Sequence, residues 1–132
     1  MLRPVRYLAA PLALLLLVGC GETEPPPEEL VRSTVASFAR ATAAKDYRTM
    51  CDRLLAPDLV EEVESIGLSC EDALDRGLGD VKDPRLSIGE VTVKGDAATV
   101  ETRTSAAGQE PSADTLRLVN IDGTWKISSL GS

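Results

Sequence analysis

The residues with the clearest chemical potential are three cysteines, in a chain that has no histidine. The 132 residues include Cys20, Cys51 and Cys70 and no imidazole side chain. The chain therefore has no Ser-His-Asp or Cys-His nucleophile, no histidine ligand for a metal and no imidazole acid or base. We therefore expect no catalytic residues, no metal site and no cofactor, and other roles for the cysteines.

The segment before Cys20 has the layout of a signal peptide. Arg3 and Arg6 make its start basic, and residues 8–18 form an apolar run of 11 residues broken only by a proline. A helix needs about 20 apolar residues to cross a bilayer, so this run is too short for a stable transmembrane anchor. We predict that residues 1–19 are a cleaved signal peptide.

The four residues that end at Cys20 resemble a bacterial lipobox, the motif at which prolipoproteins are acylated and cut. They are Leu17, Val18, Gly19 and Cys20. The resemblance implies a diacylglycerol on the Cys20 thiol, cleavage before Cys20, and a fatty acid such as palmitate on the new amine. Because two or three acyl chains anchor stably, we expect an extracytoplasmic protein on the bacterial cell membrane or outer membrane. An ordinary signal peptide with an incidental cysteine is the alternative.

Residues 20–29 have the composition of a tether. After Cys20 the sequence reads GETEPPPEE, without an apolar side chain. Such a segment cannot bury enough surface to fold, and consecutive prolines favour extended polyproline II geometry. We predict a spacer between the lipid and one domain at residues 30–132, with a proline-rich ligand for a partner as the alternative.

The charge of the chain excludes nucleic acid as a partner. The sequence has 14 Lys+Arg against 21 Asp+Glu, and only two of these charged residues, both arginines, precede Cys20. The chain from Cys20 onward therefore carries a net charge of −9. Phosphate backbones are bound by clustered Lys and Arg, which this composition does not provide.

Hydrophobic periodicity predicts a helical half followed by a sheet half. Spacings of three and four predict a first helix from about residue 27 to Lys45, then shorter helices up to about residue 79. After that the period changes to two, which predicts four strands with a bulge at Gly89-Glu90 and a hairpin turn at Asp122-Gly123. Residues 108–112 are predicted to be a loose connection. The fold class is α+β, with helices on one face of an antiparallel sheet.

The order of these elements and three short motifs resemble the nuclear-transport-factor-2-like (NTF2-like) superfamily, especially its small secreted or lipid-anchored bacterial members. The motifs are AKDY at residues 44–47, VTVKGDAATV at residues 91–100 and DGTWKI at residues 122–127. The resemblance implies a cone, in which a curved four-stranded antiparallel sheet wraps around a helix. A cystatin-like fold is the alternative, but several early helices favour the NTF2-like fold.

The cavity of such a cone serves as an enzyme pocket, a binding site or only a core. The side chains proposed to line it are Phe38, Tyr47, Val100, Leu118 and Trp125. Ketosteroid isomerases and polyketide cyclases resemble this fold and use an acidic base with a hydrogen-bond donor, so Tyr47 could act with Asp46 or Asp52. We favour packing roles for Tyr47 and Trp125 and a solvated helix face for the acids at residues 58–64.

Cys51 and Cys70 remain as a pair if Cys20 carries lipid. In an exported protein such a pair most often forms a disulfide. Closing a loop of about 20 residues would stabilise the fold by about 3 kcal/mol in the chain-entropy model. A free redox pair and a metal site are the alternatives, although the spacing is unlike C-x-x-C and two thiols without histidine make a poor zinc site.

Three functions are compatible with these features. The first is a non-catalytic, lipid-anchored domain that binds an envelope protein or a small ligand. The second is a small-molecule enzyme or carrier, isomerase-like or cyclase-like, that uses the cavity; a third, a purely structural spacer, stays open. A homodimer that forms through the outer face of the sheet also stays open. The positions predicted to face outward are Thr99, Glu101, Arg103 and Arg117.

Overall fold

A computed structural model describes Leu2, Gly19, Gly21 and residues 23–131 of the chain. The predicted lipidation site Cys20, and most of the predicted signal peptide with Leu17 and Val18, lie outside the described residues. Within the described part of the chain, no helix is long and apolar enough to span a membrane.

The first half of the domain is helical, as predicted. The helices are α1 (Pro27–Ala44), α2 (Tyr47–Thr49), which continues into a π-helical segment (Met50–Leu54), α3 (Pro57–Glu64) and α4 (Cys70–Leu78). Helix α1 starts with a proline and two acidic residues, a composition that suits the free amides and the positive dipole end of a first turn. It ends where Lys45 adopts a left-handed conformation with φ of 54°.

The second half is a meander of four antiparallel strands. They are β1 (Arg85–Lys94), β2 (Ala97–Ala106), β3 (Gln109–Ile121) and β4 (Thr124–Ser129), in the spatial order β1-β2-β3-β4. The register between β1 and β2 shifts between Ile88 and Val91, which confirms the predicted bulge. The Asp122-Gly123 turn is also confirmed, with positive φ at both residues.

One predicted connection is wrong. Residues 108–112 were expected to be loose, but β3 already begins at Gln109 and Ser112 pairs with Thr104 of β2. The turn needs only Ala107 and Gly108, because Gly108 adopts a φ of 74° and reverses the chain at once. The polar sequence QEPS, residues 109–112, is therefore the exposed start of β3.

The core lies between α1 and the inner face of the sheet. Val31, Val35, Phe38 and Ala41 form the buried stripe of α1. Thr34 also joins this helix to the sheet, since its hydroxyl donates to the Trp125 carbonyl at 3.2 Å. Leu55 and Ala56 close the edge beside β4, where the Ala56 amide donates to the Ile127 carbonyl at 2.7 Å.

Candidate functional site

The inner face of the sheet consists of four cross-strand rows of side chains. From one end to the other, the pairing aligns Val93, Ala98 and Leu118; then Val91, Val100 and Leu116; then Ile88, Thr102 and Asp114; and finally Leu86, Thr104 and Ser112. The first two rows are wholly apolar. In the last two rows β1 stays apolar, whereas β2 and β3 change to hydroxyl and carboxylate side chains.

The apolar end of this face is sealed. Val100 and Ile127 are fully buried, and Leu116, Leu118 and Trp125 are no more than 4% exposed. Helix α1 and the chain around Met50 and Leu55 pack on this end. A cleft of about 550 Å³ borders it, but Ala98 and Leu118 in the lining of that cleft are at most 3% exposed. We call this part of the inner face the sealed end.

The polar end opens into a cleft of about 230 Å³ between α1, the α4–β1 connection and the sheet. Its apolar walls are Phe38, Leu78, Val81, Pro84 and Leu86. Thr42 of α1 and the pair Thr104 and Ser112 of the sheet add hydroxyl groups to this lining. We call this cleft the mouth. A small concave site with apolar walls and a few convergent polar groups is the usual form of a ligand site.

The polar side chains near the mouth form a hydrogen-bonded line. The Thr104 and Ser112 hydroxyls lie 2.9 Å apart, and the Ser112 hydroxyl donates to Oδ2 of Asp114 at 3.0 Å. In the neighbouring row the buried Thr102 hydroxyl donates to the Asp114 carbonyl at 3.2 Å. On the opposite wall the Thr42 hydroxyl donates to the Phe38 carbonyl at 2.8 Å. The hydroxyls of this region are therefore oriented by the protein itself.

The five residues predicted to line the cavity do not line one common cavity in the structure. Phe38 borders both the core and the mouth. Val100, Leu118 and Trp125 lie in the core toward the sealed end, because the apolar rows pack directly against the helices. Tyr47 packs on the core from the helical side and does not line the mouth.

Tyr47 and Asp46 do not form a shared site, because each side chain has its own separate contacts. Burial raises the pKa of the Tyr47 hydroxyl, and the Asp75 carboxylate adds to this effect. Among the described residues this hydroxyl has no hydrogen-bond partner. Asp46 is exposed and caps α2, accepting bonds from the Thr49 amide at 3.1 Å and hydroxyl at 2.7 Å. These bonds lower the pKa of Asp46.

The remaining predicted acids face solvent. Asp52 lies 3.7 Å from Arg48, and both side chains are mostly exposed. The acids of α3 are exposed as well: Asp58, Glu61, Glu62 and Glu64. Glu64 also accepts the Cys70 amide hydrogen at 3.3 Å. In the described residues, no group of three or more Cys, Asp or Glu side chains is arranged to hold a metal ion.

Cys51 and Cys70 form a disulfide, as predicted. It joins the π-helical segment to the first residue of α4, with 6.1 Å between the two Cα atoms. Cys70 is buried in the core, and Ser69 caps α4 by accepting the Asp72 amide hydrogen at 3.1 Å. The bridge thus fixes the start of the helix whose other end, at Leu78, lines the mouth.

Sequence reasoning missed the polar residues of the mouth. Thr104, Ser112 and Asp114 were not singled out, because residues 108–112 read as a loop. The available signal was the alternation that continues backwards from Leu118 and Leu116 to Asp114 and Ser112. Extending that period by two positions would have put both polar side chains on the inner face.

Comparison with known proteins supports the architecture. A family model described as "Putative lumazine-binding" matches residues 72–129, from α4 to the end of β4. No curated protein matches the sequence significantly.

Three solved structures are similar in fold. An NTF2-like protein of unknown function from Silicibacter pomeroyi is 20% identical, with 76% of this chain and 89% of that chain covered and a TM-score of 0.56. A de novo designed NTF2 fold protein is 18% identical over 80% of this chain and 87% of its own, with a TM-score of 0.55. An NTF2-like protein of unknown function from Shewanella baltica is 13% identical over 76% and 87%, with a TM-score of 0.54. The chain therefore has an α+β NTF2-like fold.

Proposed function

We propose that this protein is a non-catalytic, lipid-anchored NTF2-like domain of the bacterial envelope that binds a small, largely apolar ligand at the mouth. The observation that carries the proposal is the contrast along the inner face of the sheet. The sealed end buries its apolar side chains under the helices, whereas the mouth is a cleft of about 230 Å³ in which hydroxyl groups lie among apolar walls. A chain that needed only a core would gain stability by filling this cleft as well.

The anchor part of the proposal rests on the sequence. Cys20 ends a lipobox-like motif, and a proline-rich and acidic tether separates it from α1. Helix α1 has 18 residues, so it is about 27 Å long at 1.5 Å per residue. Phe38 and Thr42 lie toward its far end, and the mouth is therefore remote from the point where the tether joins.

The non-catalytic part of the proposal rests on what surrounds the candidate acids and bases. The chain has no histidine, and Asp46 and Asp52 are engaged in local contacts on the surface. Tyr47 packs against the core and does not line the cleft. Glu110 borders the mouth but is exposed. Asp114, two residues beyond Ser112, accepts a hydrogen bond from the Ser112 hydroxyl, a contact that suits a positioning role for the hydroxyl line.

A second candidate, an enzyme acting in the cleft, depends on the same Asp114. A half-buried carboxylate close to a ligand site is the kind of group that could accept a proton. If the cleft were catalytic, Asp114→Asn would abolish turnover of a bound ligand. In a binding protein the variant would still hold the ligand, and the wild type would return it chemically unchanged.

The anchor is tested by replacing Cys20. Cys20→Ala is expected to stall processing or release the protein, because the thiol that would carry diacylglycerol is gone. The measurement is detergent-phase partitioning together with the mass of the mature chain. Unchanged partitioning and unchanged cleavage in the variant would contradict the anchor.

Ligand binding is tested by blocking the mouth. Ala39 is half-buried on α1 and lines the cleft, so Ala39→Phe should fill it. Ala44→Phe is the matched control, because Ala44 is exposed on the same helix and does not line the cleft. Native mass spectrometry of protein released gently from membranes should show a bound small molecule in the wild type and in Ala44→Phe. Retention by Ala39→Phe would place the binding elsewhere.

A further inference from the structure

The hydroxyl groups at the mouth have a defined hydrogen-bond direction. A hydroxyl has one hydrogen to donate, whereas a carboxylate only accepts. Since the Ser112 hydroxyl lies 3.0 Å from Oδ2 of Asp114, its hydrogen points to the carboxylate. The 2.9 Å contact between Ser112 and Thr104 must then use the hydrogen of Thr104. Asp114 thereby sets the direction of the whole line.

The hydroxyl on the opposite wall of the cleft also has its hydrogen directed away from the cleft. Thr42 gives its only hydroxyl hydrogen to the Phe38 carbonyl, a 2.8 Å bond within α1. Thr42 and Thr104 therefore both face the cleft with oxygen lone pairs and no free hydrogen. Arg85 and Ser105 also border the cleft, but the strand alternation puts them on the face opposite Leu86 and Thr104. Gln109 and Glu110 border the cleft as well, but both are exposed. The half-buried hydroxyls of the inner walls, Thr42 and Thr104, thus offer acceptors.

Resting on the proposed ligand-binding function, we propose that the mouth selects ligands whose apolar body carries a hydrogen-bond donor, a hydroxyl or an amine. A ligand of equal size that has only acceptors, such as a ketone, would set its lone pairs against those of Thr42 and Thr104. It would desolvate its own oxygen without gaining a bond, which is the costly case for a buried polar group. The apolar walls contribute to both ligands alike.

The test uses three probes of nearly equal size: cyclohexanol, cyclohexylamine and cyclohexanone. They are titrated into the full mature chain, and the amide shifts of residues at the mouth give the affinities. The alcohol is expected to bind about 3- to 10-fold more tightly than the ketone, the effect of one net hydrogen bond. The amine, which is protonated near neutral pH, is expected to bind at least as tightly as the alcohol, because Glu110 at the mouth adds charge attraction.

Three variants separate hydrogen-bond direction from shape. Asp114→Asn adds an amide that can donate to Ser112, so the hydrogen bonds of the line can reverse and Thr104 can donate to the ligand. The ratio of alcohol affinity to ketone affinity should then fall to near unity or invert. Ser112→Ala frees the Thr104 hydrogen and should do the same. Thr104→Val keeps the size of the side chain and removes the hydroxyl, so alcohol binding should weaken while ketone binding changes little. Thr115→Val, on the exposed outer face, is the control.

The outcomes distinguish this inference from the proposed function. Equal affinity for alcohol and ketone, or a full alcohol preference retained by a folded Asp114→Asn variant, would overturn the inference and leave ligand binding at the mouth intact. If none of the probes shifts the mouth residues, both the inference and the proposed binding function are overturned.

Discussion

The sealed end and the mouth are built from the same strands and differ in what their side chains do. At the sealed end, Leu116 and Leu118 of β3 pack against the helices and are at most 4% exposed. A few residues earlier in the same strand, Asp114 and Ser112 face the same side and form hydrogen bonds instead. A single change of side-chain polarity along β2 and β3 thus divides one face into a core and a candidate site.

The largest predicted difference comes from the same substitution at the two ends. Leu118→Ala should lower the free energy of unfolding by about 3–4 kcal/mol, because Leu118 is 2% exposed and its loss leaves a cavity. Leu86→Ala at the mouth should cost about 1–2 kcal/mol, since Leu86 is half-buried beside open space. Urea unfolding of both variants measures the difference. Equal losses would mean that the mouth is packed as tightly as the sealed end.

The disulfide should have the next largest effect. Its cysteines are 19 residues apart, and closing such a loop stabilises the fold by about 3 kcal/mol in the chain-entropy model. The double variant Cys51→Ala and Cys70→Ala should lose that amount in urea unfolding. Because α4 runs from Cys70 to the mouth at Leu78, the rate of amide hydrogen exchange in the double variant should increase around Leu78 more than around Leu118. A uniform rise would show that the bridge supports both ends equally.

A smaller effect is expected at the start of α4. Ser69→Ala removes the hydroxyl that accepts the Asp72 amide hydrogen and should cost about 1 kcal/mol. Ser33→Ala on exposed α1 surface is the control and should be neutral or slightly stabilising, because alanine favours a helix interior. Thermal unfolding compares the two variants. A neutral Ser69→Ala would show that the bridge and the Glu64 carboxylate, which accepts the Cys70 amide hydrogen at 3.3 Å, fix this end of α4 without the Ser69 cap.

The smallest effect is a pH dependence at Asp46. Bonds from Thr49 hold the pKa of Asp46 below its usual value of 3.8, so the charged carboxylate favours the folded state. This stabilisation is complete above the usual value and disappears as the pH falls through the lower folded value. Asp46→Asn should therefore be less stable than the wild type at pH 6, with a smaller gap at pH 3. A gap that does not change with pH would contradict the assigned cause.

Much of the fold could be predicted from the sequence because local patterns encode it. Apolar periodicity located the helices and strands, and the change of phase at Gly89-Glu90 indicated the bulge. Cys51 and Cys70, the two cysteines left after Cys20, indicated the disulfide. The NTF2-like arrangement followed from the order of the elements.

The candidate site could not be predicted in the same way. The polar stretch before Asp114 looks like a loop until its pairing with β2 is known, and pairing is a long-range property. The location of the open space was equally hidden. Val100, Leu118 and Trp125 have the apolar character of cavity walls, but whether such residues enclose space or fill it depends on how the helices pack against them.

The central claim, that the mouth and not the sealed end binds a ligand, is tested most directly by mapping amide shifts of the full mature chain during a cyclohexanol titration. Saturable shifts are expected at Phe38, Thr42, Leu86 and Thr104, with Leu118 and Trp125 unchanged. Shifts centred on Leu118 and Trp125, or no saturable shift at the mouth, would contradict it.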